Sequence, residues 1–140
     1  MVKLLFNIAL IGIIIISVSG CFEASQYSIK NRRIGYEKVT SNYINQYDAQ
    51  GNRIGYKKIK GNYIDLYDTN SNRIGYEKVN GDYIEQYDTK GSRIGYKRVK
   101  GDYIDHYDSK GNRIGYEKIT GNYIDLYTID GNRIGYEEVK

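Results

Sequence analysis

The sequence predicts an all-β protein of tandem twenty-residue β-hairpins, about six units long. The tetrapeptide Arg-Ile-Gly-Tyr recurs without insertions, beginning at positions 33, 53, 73, 93, 113 and 133. The segments between turn signals are rich in Ile, Val and Tyr, which favour strands, and their apolar residues lack helical spacing. Gly recurs about every ten residues, as tight turns between short strands require. Each repeat is therefore predicted to be two strands and two turns.

The first twenty residues differ in composition from the repeats. Lys3 is their only charged residue, an apolar segment follows over residues 4–16, and small residues lead to Cys21. This order is typical of a secretory signal peptide, and the apolar segment is shorter than the roughly 20 residues that span a membrane. We therefore expect a signal peptide over residues 1–20 and a repeat domain over residues 21–140.

The tetrapeptide Val18-Ser19-Gly20-Cys21 resembles the lipobox of bacterial lipoproteins, in which a branched apolar residue and two small residues precede Cys. The resemblance implies that Cys21 is the lipidation site, carries fatty acyl groups such as palmitate, and starts the mature chain. Phe22 follows where the inner-membrane retention signal has Asp, which favours the outer membrane or cell surface. The alternatives are an ordinary signal peptide with an incidental Cys, or an uncleaved signal anchor.

The repeat at residues 73–92 illustrates the predicted hairpin. Asn80-Gly81 separates two predicted strands and favours a two-residue loop, because both positions accept positive φ. With this pair at the tip, Val79 faces Asp82. Asp88 opens a second turn, whose backbone amides its carboxylate is expected to cap.

The two faces of this hairpin have different side chains, and the sequence leaves open which of them is the core. One face carries Ile74, Tyr76, Tyr83 and Tyr87. The other carries Gly75, Val79 and Ile84.

The two ends of the repeat region complement each other. Residues 25–28 align with residues 45–48, so the first unit lacks its first strand, whereas the last unit stops after its first strand. A strand near the N-terminus can therefore complete the last hairpin and close a flower-like or propeller-like ring, as propellers do. Closure removes the exposed strand edges, so a closed ring is favoured over an open hairpin stack.

A charged column recurs at twenty-residue intervals. Its members are Glu37, Lys57, Glu77, Lys97, Glu117 and Glu137. The sign alternates over the first five, which is expected to stabilise neighbouring repeats by a few tenths of a kcal/mol each, roughly.

Residues 111–125 resemble the repeats of the bacterial β-flower family, which carry Ile-Gly and Asp-Gly-x-Ile patterns in hairpins around an axis. Here Tyr replaces the Arg that follows Ile-Gly, and the repeat number is nearer six than five. Residues 107–113 are similar to the YD-repeats of bacterial shell proteins, and the aromatic hairpin resembles cell-wall-binding repeats without their Trp. None of these resemblances implies catalysis.

The chain offers few residues for catalysis or metal binding, so no enzyme activity, cofactor or metal is predicted. Cys21 is the only Cys and His106 the only His, which excludes an intrachain disulfide. We expect His106 to be a surface substitution and repeated carboxylates such as Asp65 to be solvated. The Asp residues before the turns are expected to cap them and to pair with the Arg column, although 68–72 approaches a calcium-loop pattern.

The Tyr columns are the candidate ligand-binding site, with core packing as the competing interpretation. They comprise Tyr36, Tyr43, Tyr47, Tyr56, Tyr63, Tyr67, Tyr76, Tyr83, Tyr87, Tyr96, Tyr103, Tyr107, Tyr116, Tyr123, Tyr127 and Tyr136. The formal net charge of +4 is spread along the chain, so nucleic acid is not an expected partner. The sequence thus favours a membrane-anchored, non-enzymatic envelope scaffold whose partner is a cell-wall glycan or envelope protein. A carbohydrate-binding or peptidoglycan-binding module is the alternative.

Overall fold

Antiparallel strands joined in chain order by tight turns close into a continuous barrel in the computed structural model, which describes residues 22–140. Over these residues the barrel has twelve strands. The strands are β1 (Phe22–Ser28), β2 (Arg33–Thr40), β3 (Tyr43–Asp48), β4 (Arg53–Lys60), β5 (Tyr63–Asp68), β6 (Arg73–Asn80), β7 (Tyr83–Tyr87), β8 (Arg93–Lys100), β9 (Tyr103–Asp108), β10 (Arg113–Thr120), β11 (Tyr123–Thr128) and β12 (Arg133–Val139). The predicted signal peptide and the lipidation site at Cys21 lie outside the described residues.

The predicted pairing of the N-terminal strand with the last strand is confirmed. At this seam β1 pairs antiparallel with β12, from Ala24 opposite Val139 to Ser28 opposite Gly135. The backbone N–H of Lys140 also donates a 2.9 Å hydrogen bond to the carbonyl of Glu23. Every strand therefore has two neighbours, and the repeats form a closed barrel rather than an open stack.

The two ends of the barrel differ in the length of their loops. One end holds the start of β1, the end of β12 and the two-residue loops such as 81–82, and we call it the terminal end. The distal end holds the longer turns, such as 69–72 and 109–112. Both ends of the described chain therefore leave from the same end of the barrel.

The hairpin register differs by two residues from the predicted one. Val79 lies opposite Ile84 rather than Asp82, and Asn80 pairs with Tyr83. The loop is Gly81-Asp82, with Gly81 at a φ of 58°, and Asn80 remains in the strand. This register places the apolar Ile84 opposite Val79, where the predicted register places Asp82.

Each longer turn is followed by a bulge that adds one residue to the next strand. Between β5 and β6, Tyr67 pairs with Arg73 but Leu66 pairs with Gly75, so Ile74 is the extra residue. The same shift recurs where β3 meets β4, β7 meets β8, β9 meets β10 and β11 meets β12. The bulge leaves Ile74 57% exposed at the distal end.

The face that carries Gly75, Val79 and Ile84 lines the inside of the barrel, and the Tyr face lies outside. Ile84 is only 2% exposed, as are its equivalents at positions 44 and 124. A Cβ on Gly75 would lie 2.6 Å from the carbonyl oxygen of Tyr87, which explains the absence of a side chain there.

Candidate functional site

Most of the candidate Tyr residues pack against each other on the outer wall. Tyr76 and Tyr87 are directly opposite in their hairpin, and their rings stack with centroids 4.8 Å apart and planes 8° apart. The Arg73 guanidinium lies 4.7 Å from the Tyr76 centroid and covers the ring as well. Rings held in this way stabilise the wall, and their faces are not open to a sugar.

The same stacked pair recurs around the barrel and includes one Tyr that the sequence-based site did not contain. The equivalent pairs are Tyr36–Tyr47, Tyr56–Tyr67, Tyr96–Tyr107, Tyr116–Tyr127 and Tyr27–Tyr136. In the repeat alignment Tyr27 occupies the same column as Tyr47. The alignment could therefore have identified Tyr27 as a member of the Tyr set.

A second class of Tyr is more open to solvent. Tyr63 is 41% exposed, and its ring is tilted at 47° against Tyr76 with centroids 6.2 Å apart. Its equivalents are Tyr43, Tyr83, Tyr103 and Tyr123, which are 40–46% exposed. The candidate ligand-binding Tyr set therefore narrows to these five rings on the outer wall.

The Arg column pairs with side chains of the strands and not with the turn Asp residues, so that part of the sequence-based interpretation is wrong. The partner is a carboxylate for every member except Arg53, which donates to Asn45 Oδ1 at 3.1 Å. Arg73 donates from Nη2 to Asp65 Oδ1 at 2.7 Å and from Nε at 2.9 Å. Asp65 is only 6% exposed, which corrects the expectation that it is solvated. Burial opposes its ionisation, but hydrogen bonds from Arg73 and Lys60 hold its pKa below the usual value.

The turn Asp residues cap their turns as predicted. Asp88 Oδ1 accepts hydrogen bonds from the backbone amides of Lys90 at 2.9 Å and Ser92 at 2.8 Å. These carboxylates are therefore committed to backbone amides. Within residues 22–140, no group of three or more His, Cys, Asp or Glu side chains is placed to hold a metal ion.

The charged column forms a ring inside the barrel. Its six side chains are only 1–4% exposed. The sequence identified the column but not its burial, because the alternation of inward and outward residues leaves the choice of face open. The sequence does place the column on the same strand face as Gly75 and Val79, because Glu77 is two residues from each.

The ring carboxylates receive hydrogen bonds from a second inward column. Gln46 donates to Glu37 at 3.0 Å and Gln86 donates to Glu77 at 3.2 Å. Across the seam, Gln26 donates to Glu137 at 3.2 Å.

His106 belongs to this second inward column and lies beside Glu117. Its Nε2 is 2.7 Å from Glu117 Oε1, and the residue is 7% exposed. The expectation that His106 is a surface substitution is wrong, because its column faces the interior and the imidazole meets a buried carboxylate there.

The alternation of charge around the ring fails at one position. Glu117, Glu137 and Glu37 follow one another where the alternation would place Lys at 137. Burial, and then the neighbouring Glu37 and Glu117, raise the pKa of Glu137 well above its ordinary value.

Elsewhere in the ring, the balance of burial and charge differs between residues. Burial also raises the pKa of Glu37, despite Lys57 nearby. For Glu77, burial is outweighed by Lys57 and Lys97, and its pKa is lowered. Burial lowers the pKa of Lys97 to about 8.

Cavities reach the ring from the distal end. One of about 160 Å³ is lined by Gln26, Ile34, Ile134 and Glu137 among others. A second of about 180 Å³ reaches His106 and Glu117, and a third of about 390 Å³ reaches Glu37. The bulge isoleucines form an exposed rim at the distal end and are 42–58% exposed: Ile34, Ile54, Ile74, Ile94, Ile114 and Ile134. Of these, Ile34, Ile54, Ile114 and Ile134 line the cavities.

No protein-family model matches the chain, and neither a curated protein nor a solved structure is significantly similar to it. Over residues 22–140, the structure holds no helix with the length and apolar character needed to cross a membrane.

Proposed function

We propose that the protein is a non-enzymatic lipoprotein of the bacterial cell envelope, attached to the outer membrane or cell surface through lipidated Cys21. In this proposal the barrel is a scaffold, and its outer wall or distal end meets an envelope partner. The β-flower resemblance belongs to the same proposal, with hairpins arranged around one axis.

The position of the chain ends carries the proposal. Phe22 lies opposite Val39 at the terminal end, so Cys21 directly precedes the barrel there. An acylated Cys21 would thus attach the terminal end to the membrane with almost no linker. The distal end and its isoleucine rim would then point away from the lipid.

Metabolic labelling tests the anchor. In cells grown with radiolabelled palmitate, we expect label on the wild-type chain and loss of label in Cys21→Ser. Ser19→Ala is the matched control, because it keeps a small residue before the cleavage position. Label that persists in Cys21→Ser would contradict the anchor.

Thiol accessibility tests the orientation. Lys90→Cys places a thiol at the distal end and Lys100→Cys places one at the terminal end, and both positions are exposed. On protein reconstituted in vesicles, a bulky maleimide should react faster with the distal thiol. Equal rates on vesicles would count against attachment through the terminal end.

A glycan-binding module is the second candidate, and the exposed Tyr column favours it. Tyr43, Tyr63, Tyr83, Tyr103 and Tyr123 repeat at one level of the outer wall and remain 40–46% exposed. Amphipathic rings of this kind stack on sugars while their hydroxyl groups stay in water. Pull-down with peptidoglycan should retain the wild type but not a Tyr63→Ala/Tyr83→Ala double variant, with Lys90→Ala in a distal turn as control. Equal retention of the double variant would reject this candidate.

A further inference from the structure

The buried ring at the centre of the barrel has one lysine fewer than strict alternation of charge would give. Its four carboxylates face two lysines, Lys57 and Lys97, so three Glu residues are consecutive around the closure. Buried charges are stable only when paired and hydrogen-bonded. The place where a cation is missing is position 137.

The carboxylates around this position have unused hydrogen-bonding capacity. Oε1 of Glu137 accepts from Gln26, but Oε2 of Glu137 and Oε2 of Glu117 are buried and have no hydrogen-bond partner among the described residues. Oε2 of Glu77 also has no such partner, but Glu77 lies between the two lysines of the ring. Glu117 and Glu137 are 1–2% exposed. A buried carboxylate oxygen without a donor is costly to stability, and a donor arriving from outside would relieve that cost.

A cavity that reaches the Glu137 residue opens at the distal end. The cavity of about 160 Å³ at Glu137 is lined by aliphatic side chains, namely Ile34, Ile134 and Leu126, besides Gln26 and Tyr136. Cavities of roughly 150 Å³ hold molecules as large as benzene. The lining of the cavity therefore combines aliphatic side chains with the acidic residue Glu137.

We propose that this cavity binds a primary alkylammonium ion, whose ammonium group takes the place that a lysine would occupy at position 137. Lys57 and Lys97 are the chain's own examples of such a group, each buried in the same ring. The ammonium has three donors for the carboxylate oxygens, and the alkyl part packs on Ile34, Ile134 and Leu126. This site does not depend on the membrane anchor.

Titration with n-butylammonium tests the site in the full chain. His106 is the only His and contacts Glu117, so its imidazole signals report on the ring by NMR. We expect a saturable shift of these signals with n-butylammonium and none with tetramethylammonium, which has no N–H donor. Equal shifts with both ions, or no saturation, would overturn the proposal.

Variants at position 137 identify the carboxylate, with affinity measured by calorimetry. Glu137→Gln should weaken n-butylammonium binding at least tenfold, and Glu137→Lys should abolish it by supplying a tethered ammonium. Glu138→Gln is the matched control, because it removes the same charge from the outward-facing neighbour and should bind as the wild type does. Wild-type affinity in Glu137→Gln would overturn the proposal. If a variant does not fold, the His106 titration still tests the proposal, because it uses the wild-type chain.

Discussion

The side chain of Gln26 donates a 3.2 Å hydrogen bond to Glu137 inside the barrel, although 111 residues separate the two in sequence. This bond crosses the seam where β1 meets β12 and links the first described strand to the last. The side-chain bond that satisfies one oxygen of the buried ring therefore also crosses the seam that closes the barrel.

Replacing Gln26 by Leu should lower the free energy of unfolding by about 1–3 kcal/mol, because a buried carboxylate oxygen loses its donor. The shape is tolerated, since Leu126 occupies the same inward column. Urea denaturation measures the change, and the exposed Gln50→Leu should stay within about 0.5 kcal/mol of the wild type. Equal effects of the two variants would show that the seam bond does not contribute.

Raising the pH should destabilise the protein through Glu137. Its pKa is raised in the folded barrel above the ordinary value of 4.5, so the folded state binds more protons than the unfolded state above that pH. This contribution to stability is complete below about pH 4.5 and is lost as the pH rises through the folded pKa. Urea unfolding at several pH values measures it.

Glu137→Gln should show a shallower decline of stability with pH than the wild type. The decline should not vanish, because burial raises the pKa of Glu37 as well. Glu138→Gln, on the outward-facing neighbour, should keep the wild-type decline. A wild-type slope in Glu137→Gln would mean that this carboxyl does not govern the pH response.

Two glycines of one repeat should respond differently to substitution. Gly75→Ala should destabilise the barrel by about 1–3 kcal/mol, because its Cβ would lie 2.6 Å from the Tyr87 carbonyl oxygen. Gly81→Asn should cost less than about 1 kcal/mol, since the loop position is open and Ser41 adopts the same positive φ there. Thermal unfolding ranks the two, and the reverse order would contradict the described register.

The two Tyr residues of β5 should differ in their effect on stability. Tyr67 stacks on Tyr56 with centroids 4.7 Å apart, whereas Tyr63 is 41% exposed and only tilted against Tyr76. We expect Tyr67→Ala to destabilise the protein by about 1 kcal/mol more than Tyr63→Ala. Denaturant titration of both variants gives the difference, and a larger loss in Tyr63→Ala would contradict the assigned roles.

The strand pattern and the closure could be predicted because they depend on repeat spacing and on the offset between the chain ends. The inward face could not, since the Tyr face and the Val/Ile face of one hairpin are both partly apolar. Only the closed barrel decides between them, because it buries Ile84 and leaves Tyr83 exposed. The burial of His106 and of the charged ring follows from that choice, and so both escaped prediction.

The closing hairpin is divided between the two ends of the chain, with β12 at one end and β1 at the other. Loss or duplication of one internal twenty-residue unit during recombination of the gene would leave both halves of that hairpin intact. The first and last strands of the product could still pair with each other. Loss of a unit would remove two strands and narrow the barrel, and duplication would add two strands and widen it. The circumference of the barrel is thus open to change in whole-repeat steps without a new closing strand.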